Sequence, residues 1–109
     1  MPASPDVCWV GASRKKYGYW SRPLPYACKP GDHGNFIFCK LINDEWVPVY
    51  IGHGELKSRL SDPAHYGYAV RKGATHVHVR MNSMEQARIE EAQDLLEGYP
   101  EAGKQEGCC

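Results

Sequence analysis

The sequence predicts a small α/β domain of the α+β type, with a central, mainly antiparallel sheet of about three strands and flanking helices. Two β-rich apolar runs separated by a short polar turn predict a hairpin, and a later stretch of apolar–polar alternation predicts a third strand. Helical spacing of apolar residues lies between and after these strands. We expect an N-terminal extension with edge strands over residues 1–33, a core domain over residues 34–100 and a polar tail over residues 101–109.

The predicted hairpin opens the core. An apolar run from Phe36 to Ile42 is interrupted by Asn43-Asp44-Glu45, and a second run from Trp46 to Ile51 is rich in β-branched and aromatic residues. Since side chains alternate across a strand, both faces of the second strand are largely apolar, which predicts a central position in the sheet. One face is expected to hold Val47, Val49 and Ile51, and the other Trp46, Pro48 and Tyr50.

Two short helices are predicted after the hairpin. Leu56 and Leu60 are four residues apart and would share one face of the first helix. The second helix would have Asp62 as a cap and Pro63 at its first position, and Gly73 would end it.

The third strand is predicted over residues 75–81 as a half-exposed strand. Its residues alternate, so that His76 and His78 share one face with Arg80. Two histidines are too few for a complete zinc site, and a solvated or helix-covered face is the main alternative.

Length, charge and cysteine content limit the classes of function. The chain has 109 residues and 42% hydrophobic residues, which fits one folded domain. Thirteen basic residues balance thirteen acidic ones, so any nucleic-acid interface must be a local patch. Arg14-Lys15-Lys16, beside Tyr17, Tyr19 and Trp20, is either such a patch or a plain surface loop. Five cysteines without a CxxC pair, no signal peptide and no membrane-spanning run predict a cytoplasmic protein with reduced thiols.

The last helix contains a carboxylate on its packed face. A capping box of Ser83 and Gln86 would begin this helix. On a helical wheel Glu90 falls on the polar arc, whereas Glu91 falls among apolar residues near Arg88. Because burial of a lone ion is unfavourable, Glu91 needs either an ion pair with a basic residue or a bound metal ion.

Several of these residues together resemble the GIY-YIG nucleases. The first strand opens with Gly34-Asn35-Phe36, the second ends with Tyr50-Ile51-Gly52, and Arg59 lies on the following helix. Glu91 on the last helix precedes Leu95-Leu96 and Pro100 in the order that is typical of the family. The resemblance covers about residues 34–100 and implies a GIY-YIG endonuclease-like fold.

The resemblance implies a metal-dependent endonuclease that cleaves DNA phosphodiester bonds. Glu91 would hold a divalent ion, usually Mg²⁺ with Mn²⁺ as the alternative, and Tyr50 would orient or deprotonate the attacking water. Arg59 would stabilise charge on the phosphate, a role that suits its planar, permanently charged group. The groove would also include Gly34, Phe36, Gly52, His53 and His65.

A non-catalytic member of the same family is the alternative. Phe36 lacks the hydroxyl of the family's first tyrosine, and Pro63 occupies the position of a common histidine, for which His65 or His53 would have to substitute. No asparagine follows Pro100. Such a module would bind nucleic acid or a protein partner, and a protein partner would also serve to target the nuclease.

Overall fold

The computed structural model describes residues 4–104, without the side chains of residues 103 and 104. Its centre is a six-stranded sheet with the strand order β1-β2-β5-β3-β4-β6. All neighbouring strands pair antiparallel except the short β6, which runs parallel to β4. In chain order the elements are β1 Val7–Val10, β2 Lys16–Pro23, β3 His33–Ile42, β4 Glu45–Glu55, α1 Leu56–Ser61, α2 Pro63–Arg71, β5 His76–Met81, α3 Glu85–Gly98 and β6 Gly103–Lys104.

The predicted fold, a GIY-YIG endonuclease-like sheet of about three strands, is wrong in its extent. The first third of the chain supplies β1 and β2, and β2 joins the same sheet through pairs such as Trp20 with Val79. These strands are short, and Gly18 interrupts the apolar pattern of β2. Because the partner of β2 is distant in sequence, local periodicity does not reveal this pairing.

The hairpin of β3 and β4 is present, with a tight turn. Asn43 and Asp44 both have positive φ angles, 51° and 65°, as a two-residue turn of type I′ requires. The pairing then shifts, because Phe38 is opposite Tyr50 whereas Cys39 is opposite Pro48. This irregularity breaks the predicted alternation of β4, so Val49 and Ile51 do not share a face of the sheet.

β5 is a central strand rather than the predicted half-exposed one. It pairs with β2 on one side and β3 on the other, and His78 is fully buried. The rings of Trp9 and Trp46 lie against His78, so the predicted solvated face is wrong for this residue, and tryptophan side chains cover it. The sequence pattern looked half-exposed because the buried face beneath α3 includes polar side chains.

The N-termini of α2 and α3 differ. As predicted, Asp62 caps α2, since its Oδ1 accepts a hydrogen bond from the Ala64 N–H at 2.9 Å. The predicted capping box at the start of α3 is wrong. Met84 is the N-cap of α3, and its side chain makes no capping hydrogen bond.

Helices cover both faces of the sheet. α1 and α2 pack on one face, where the buried cluster includes Phe36, Phe38 and Tyr50. α3 packs on the other face, where the buried cluster includes Ile37 and Ile51. Among the described residues, no helix has the length and apolar character needed to cross a membrane. The predicted tail residues Cys108 and Cys109 lie outside the described part of the chain.

Candidate functional site

Tyr50 lies on the face of the sheet that α1 and α2 cover. Tyr50 is 3% exposed, and its ring stacks on Phe36 with 6.0 Å between the ring centroids. The His65 ring of α2 is 5.1 Å from the Tyr50 ring. The structure therefore brings together three residues of the predicted groove, Phe36, Tyr50 and His65, within an aromatic core.

Glu91 lies on the opposite face of the sheet, beneath α3. It is 3% exposed, which confirms the helical-wheel assignment to the packed face, and its neighbour Glu90 is exposed. The Tyr19 hydroxyl donates a hydrogen bond to Oε2 of Glu91, and Nε of Arg80 donates to Oε1 at 3.1 Å. The ion-pair alternative for Glu91 is thus confirmed, with Arg80 as the partner.

Burial and hydrogen bonds act on Glu91 in opposite directions. Burial raises the pKa of the Glu91 carboxyl, whereas the Tyr19 hydrogen bond and the Arg80 charge lower it. The pKa of Tyr19 is raised well above its usual value by burial and by the charge of Glu91. Glu91 therefore depends on these two partners for the stability of its ionised form.

The surroundings of Glu91 do not fit a divalent metal ion. Each carboxylate oxygen already accepts a hydrogen bond, and the Arg80 guanidinium, 3.1 Å away, would repel a cation. Within residues 4–104 no group of three or more His, Cys, Asp or Glu side chains is arranged to hold a metal ion. The same finding gives no support to a zinc site at His76 and His78.

A polar row crosses the sheet beneath α3. Asn35 of β3 is opposite His53 of β4 on one side and Arg80 of β5 on the other. Asn35 is 1% exposed, and its Nδ2 donates to the carbonyl of Arg88 at 3.0 Å, which joins the row to α3. Arg80 and Tyr19 both donate hydrogen bonds to Glu91, so the row continues from Arg80 to Tyr19.

At the Gly54 end of this row lies what we call the arginine–histidine cluster, formed by Arg59, His53 and Arg88. Burial lowers the pKa of His53, and the charges of Arg88 and Arg59 lower it further, whereas the charge of Glu85 raises it. The Arg59 side chain lies over Gly54, the residue after His53, and the Arg88 carbonyl is bound by Asn35, which is opposite His53. None of the ion pairs among the described residues includes Arg59 or Arg88.

Glycine makes room for this cluster. Gly54 has a φ angle of 131°, and a Cβ atom there would lie 2.9 Å from Nε of Arg59. Gly34, opposite Gly54, allows β5 to approach closely, since a Cβ on it would lie 2.1 Å from the carbonyl oxygen of Arg80. Gly52 is buried opposite Phe36. Of the glycines in the predicted groove, Gly34 therefore has a steric basis in the close approach of β5, whereas Gly54 was not singled out from the sequence.

The predicted catalytic residues do not form one constellation. Tyr50 and Glu91 are buried on opposite faces, and Arg59 lies beside His53 at the end of the sheet. Sequence reasoning placed Arg88 near Glu91 but did not identify it as a member of the site. It also missed Asn35 and the pairing of Tyr19 with Glu91. The signal in the sequence that could have indicated them is a polar side chain, Asn35 or Tyr19, within an otherwise apolar strand.

The basic loop predicted as a patch is exposed. Arg14 and Lys15 lie on the turn between β1 and β2, and Lys16 begins β2. Asp94 of α3 holds this turn by accepting hydrogen bonds from the Ser13 N–H at 2.8 Å and the Ser13 hydroxyl at 2.6 Å. The loop is therefore fixed to the helix while its cationic side chains remain accessible.

Comparison of the chain with family models, with curated proteins and with solved structures finds no match. The resemblance to GIY-YIG nucleases therefore stays a prediction from sequence.

Proposed function

We propose that the chain binds nucleic acid, with DNA as the first candidate, through backbone phosphates at the arginine–histidine cluster. The observation that carries this proposal is the position of the Arg59 side chain over Gly54, next to His53, without a carboxylate within ion-pair distance of Arg59 or Arg88 among the described residues. Two guanidinium groups without a bound carboxylate retain donors for phosphate oxygens.

The balance of charge makes a local site necessary. The chain has thirteen basic and thirteen acidic residues, so long-range attraction to a polyanion is weak. Phosphate recognition must then come from a few positioned groups. Arg59 is half-buried, and its position over Gly54 restricts its motion, so less conformational freedom is lost on binding.

Direct binding measurements test the proposal. Fluorescence anisotropy with labelled duplex and single-stranded oligonucleotides should show binding that weakens with salt. Arg59→Gln should weaken it by about tenfold or more, as expected for lost hydrogen bonds to a charged group, and should lower the salt slope by about one. Arg71→Gln, at an exposed position of α2, removes the same charge and is the matched control.

Two results would contradict the proposal. One is the absence of binding at low salt by the folded protein. The other is an equal loss of affinity in Arg59→Gln and Arg71→Gln, which would indicate attraction by net charge alone. Binding should survive Glu91→Gln, provided that this variant folds, because Glu91 is engaged by Tyr19 and Arg80 rather than facing the ligand.

Metal-dependent cleavage of DNA is the second candidate, and Arg59 favours it because a phosphate-binding arginine also serves hydrolysis. This candidate requires Glu91 to leave Tyr19 and Arg80, and Tyr50 to act from the opposite face of the sheet. Plasmid nicking in the presence of Mg²⁺ or Mn²⁺ tests it. Nicking by the wild type that disappears in Glu91→Gln would support cleavage, and binding without nicking would leave recognition as the function.

A further inference from the structure

We infer that the N-terminus of α3, together with Arg88, forms a site for a phosphate monoester, such as the terminal phosphate of a nucleic-acid strand. This inference rests on the proposed function and specifies which part of the strand the protein recognises. It adds the N-terminus of α3 to the site and assigns Arg88, which the proposed function also uses, to the terminal phosphate.

The first feature is the open N-terminus of α3. The helix has fourteen residues, and the side chain of its N-cap, Met84, accepts no hydrogen bond and is 68% exposed. The Met84 N–H donates to Oδ1 of Asn82 at 3.2 Å, but the N–H groups of the first turn lack partners within a helix, and the N-cap side chain does not replace them. These groups, on Glu85, Gln86 and Ala87, point toward the same region and are available to an anion.

The second feature is Arg88, which is 6% exposed. Its Nη1 donates to the carbonyl of Asn82 at 3.0 Å, so the guanidinium is turned toward the segment that leads into the helix. Its buried Nε has no hydrogen-bond partner among the described residues. A guanidinium has five N–H donors, and a buried donor without a partner is costly, so an acceptor at this position would stabilise it.

The number of donors favours a monoester over an internal diester. An internal phosphodiester has two non-bridging oxygens and one negative charge, whereas a terminal phosphate has three such oxygens and a charge of about −1.5 to −2 near neutral pH. Backbone N–H groups at a helix N-terminus together with an arginine satisfy the larger set of acceptors. Glu85 opposes this charge, and its carboxylate is exposed at the rim of the site.

The ligands for the test are inorganic phosphate, dimethyl phosphate, and oligonucleotides that differ only in a 5′-phosphate, a 3′-phosphate or free hydroxyl ends. NMR titration should show that inorganic phosphate shifts the amide signals of Glu85, Gln86 and Ala87 and that dimethyl phosphate does so much less. At least one phosphorylated strand should bind about tenfold more tightly than the hydroxyl strand, because charge-assisted hydrogen bonds are added.

Met84→Ser is the decisive variant. Its hydroxyl would accept a hydrogen bond from one of the free N–H groups, which should raise the stability of α3 and reduce the preference for a phosphorylated end severalfold. Gln93→Ser, at an exposed position in the middle of α3, is the control and should leave the preference unchanged. Glu85→Gln should strengthen phosphate binding severalfold, because a repulsive charge is removed. Met84 is exposed, so these substitutions do not disturb the core.

The outcomes separate this inference from the proposed function. Equal binding of phosphorylated and hydroxyl strands, or a preference that is undiminished in Met84→Ser, would overturn the terminal-phosphate site while leaving nucleic-acid binding intact. Amide shifts with inorganic phosphate but no binding of any oligonucleotide would support the site for a small phosphate monoester and refute the proposed function. Equal shifts with dimethyl phosphate would refute selectivity for a monoester.

Discussion

The two faces of the sheet are built differently. Beneath α1 and α2 the buried residues are apolar or aromatic, and the tyrosine of the predicted signature, Tyr50, stacks there on Phe36. Beneath α3 the apolar cluster is joined by buried polar groups, among them Asn35, His78 and Glu91. Apolar packing supplies stability without directional demands, whereas each buried polar group requires a specific partner.

This difference between the faces changes where the candidate functional site is expected to lie. The sequence resemblance centres the site on Tyr50, but its face of the sheet is a closed aromatic core. The polar groups that reach the end of the sheet, around His53 and Arg88, belong to the α3 face. We expect substitutions in the buried aromatic cluster of the first face to change stability alone, whereas substitutions near α3 should change both the response to pH and the binding of anions.

The largest effect is expected from Phe38→Ala on the α1 and α2 face. Phe38 is fully buried and contacts the rings of Phe36, Tyr50 and Tyr66. Loss of its ring should reduce the free energy of unfolding by about 3–5 kcal/mol, measured by urea denaturation. Phe38→Leu should cost less and leave oligonucleotide affinity unchanged. A cost below about 1 kcal/mol for Phe38→Ala would contradict the assignment of this face as the core.

The next effect concerns acid stability and His78 on the α3 face. Burial lowers the pKa of His78 from 6.5 to about 4, and its Nδ1 accepts a hydrogen bond from Nε1 of Trp9 at 2.9 Å. Between these pH values the unfolded state binds the proton and the folded state does not, so stability falls as pH decreases from 6.5 to about 4. The shift corresponds to about 3 kcal/mol.

His78→Gln tests this assignment, since glutamine does not titrate and retains an acceptor for Trp9. Unfolding measured at a series of pH values should show a weaker dependence for the variant between pH 6.5 and 4. His76→Gln is the control, because His76 is only half-buried. Identical slopes for wild type and His78→Gln would show that another group causes the acid sensitivity.

A smaller effect is expected from Tyr19→Phe, which removes the hydroxyl that donates to Glu91. The unsatisfied carboxylate oxygen should cost about 1–3 kcal/mol at neutral pH. Because the pKa of Glu91 is already raised in the folded state, stability falls as pH rises above the unfolded value, and the variant should fall more steeply. Thermal unfolding from pH 4 to 7 measures this slope, with Tyr17→Phe for comparison. A slope equal to that of the wild type would show that Tyr19 does not affect the titration of Glu91.

Local elements were predictable from the sequence, whereas long-range pairing was not. The hairpin turn at Asn43-Asp44, the Asp62 cap and the packed position of Glu91 each depend on neighbours within a few residues, and their patterns gave them correctly. The joining of β2 to β5 depends on residues separated by most of the domain. No periodicity encodes that contact, so the extent of the sheet was underestimated.

The candidate site shows the same limit. Spacing along the chain selected Tyr50, Arg59 and Glu91, and alternation is reliable only within one uninterrupted strand. Which face each element covers depends on how the helices cross the sheet, and this is a tertiary property. Arg59 was identified from its motif, whereas its relation to Arg88 depends on where two separate helices, α1 and α3, end relative to His53.

The smallest effect on stability is expected at the N-termini of the helices, which differ between the two faces. Asp62→Ala removes the hydrogen bond to the Ala64 N–H and should cost about 1 kcal/mol, measured by thermal unfolding. Ser83→Ala should change stability by less than about 0.5 kcal/mol, because Ser83 is not the N-cap of α3. That position belongs to the next residue, Met84. A loss for Ser83→Ala equal to that for Asp62→Ala would mean that α3 is capped in solution. One of its N–H groups would then be occupied, and the phosphate site inferred there would lose a donor.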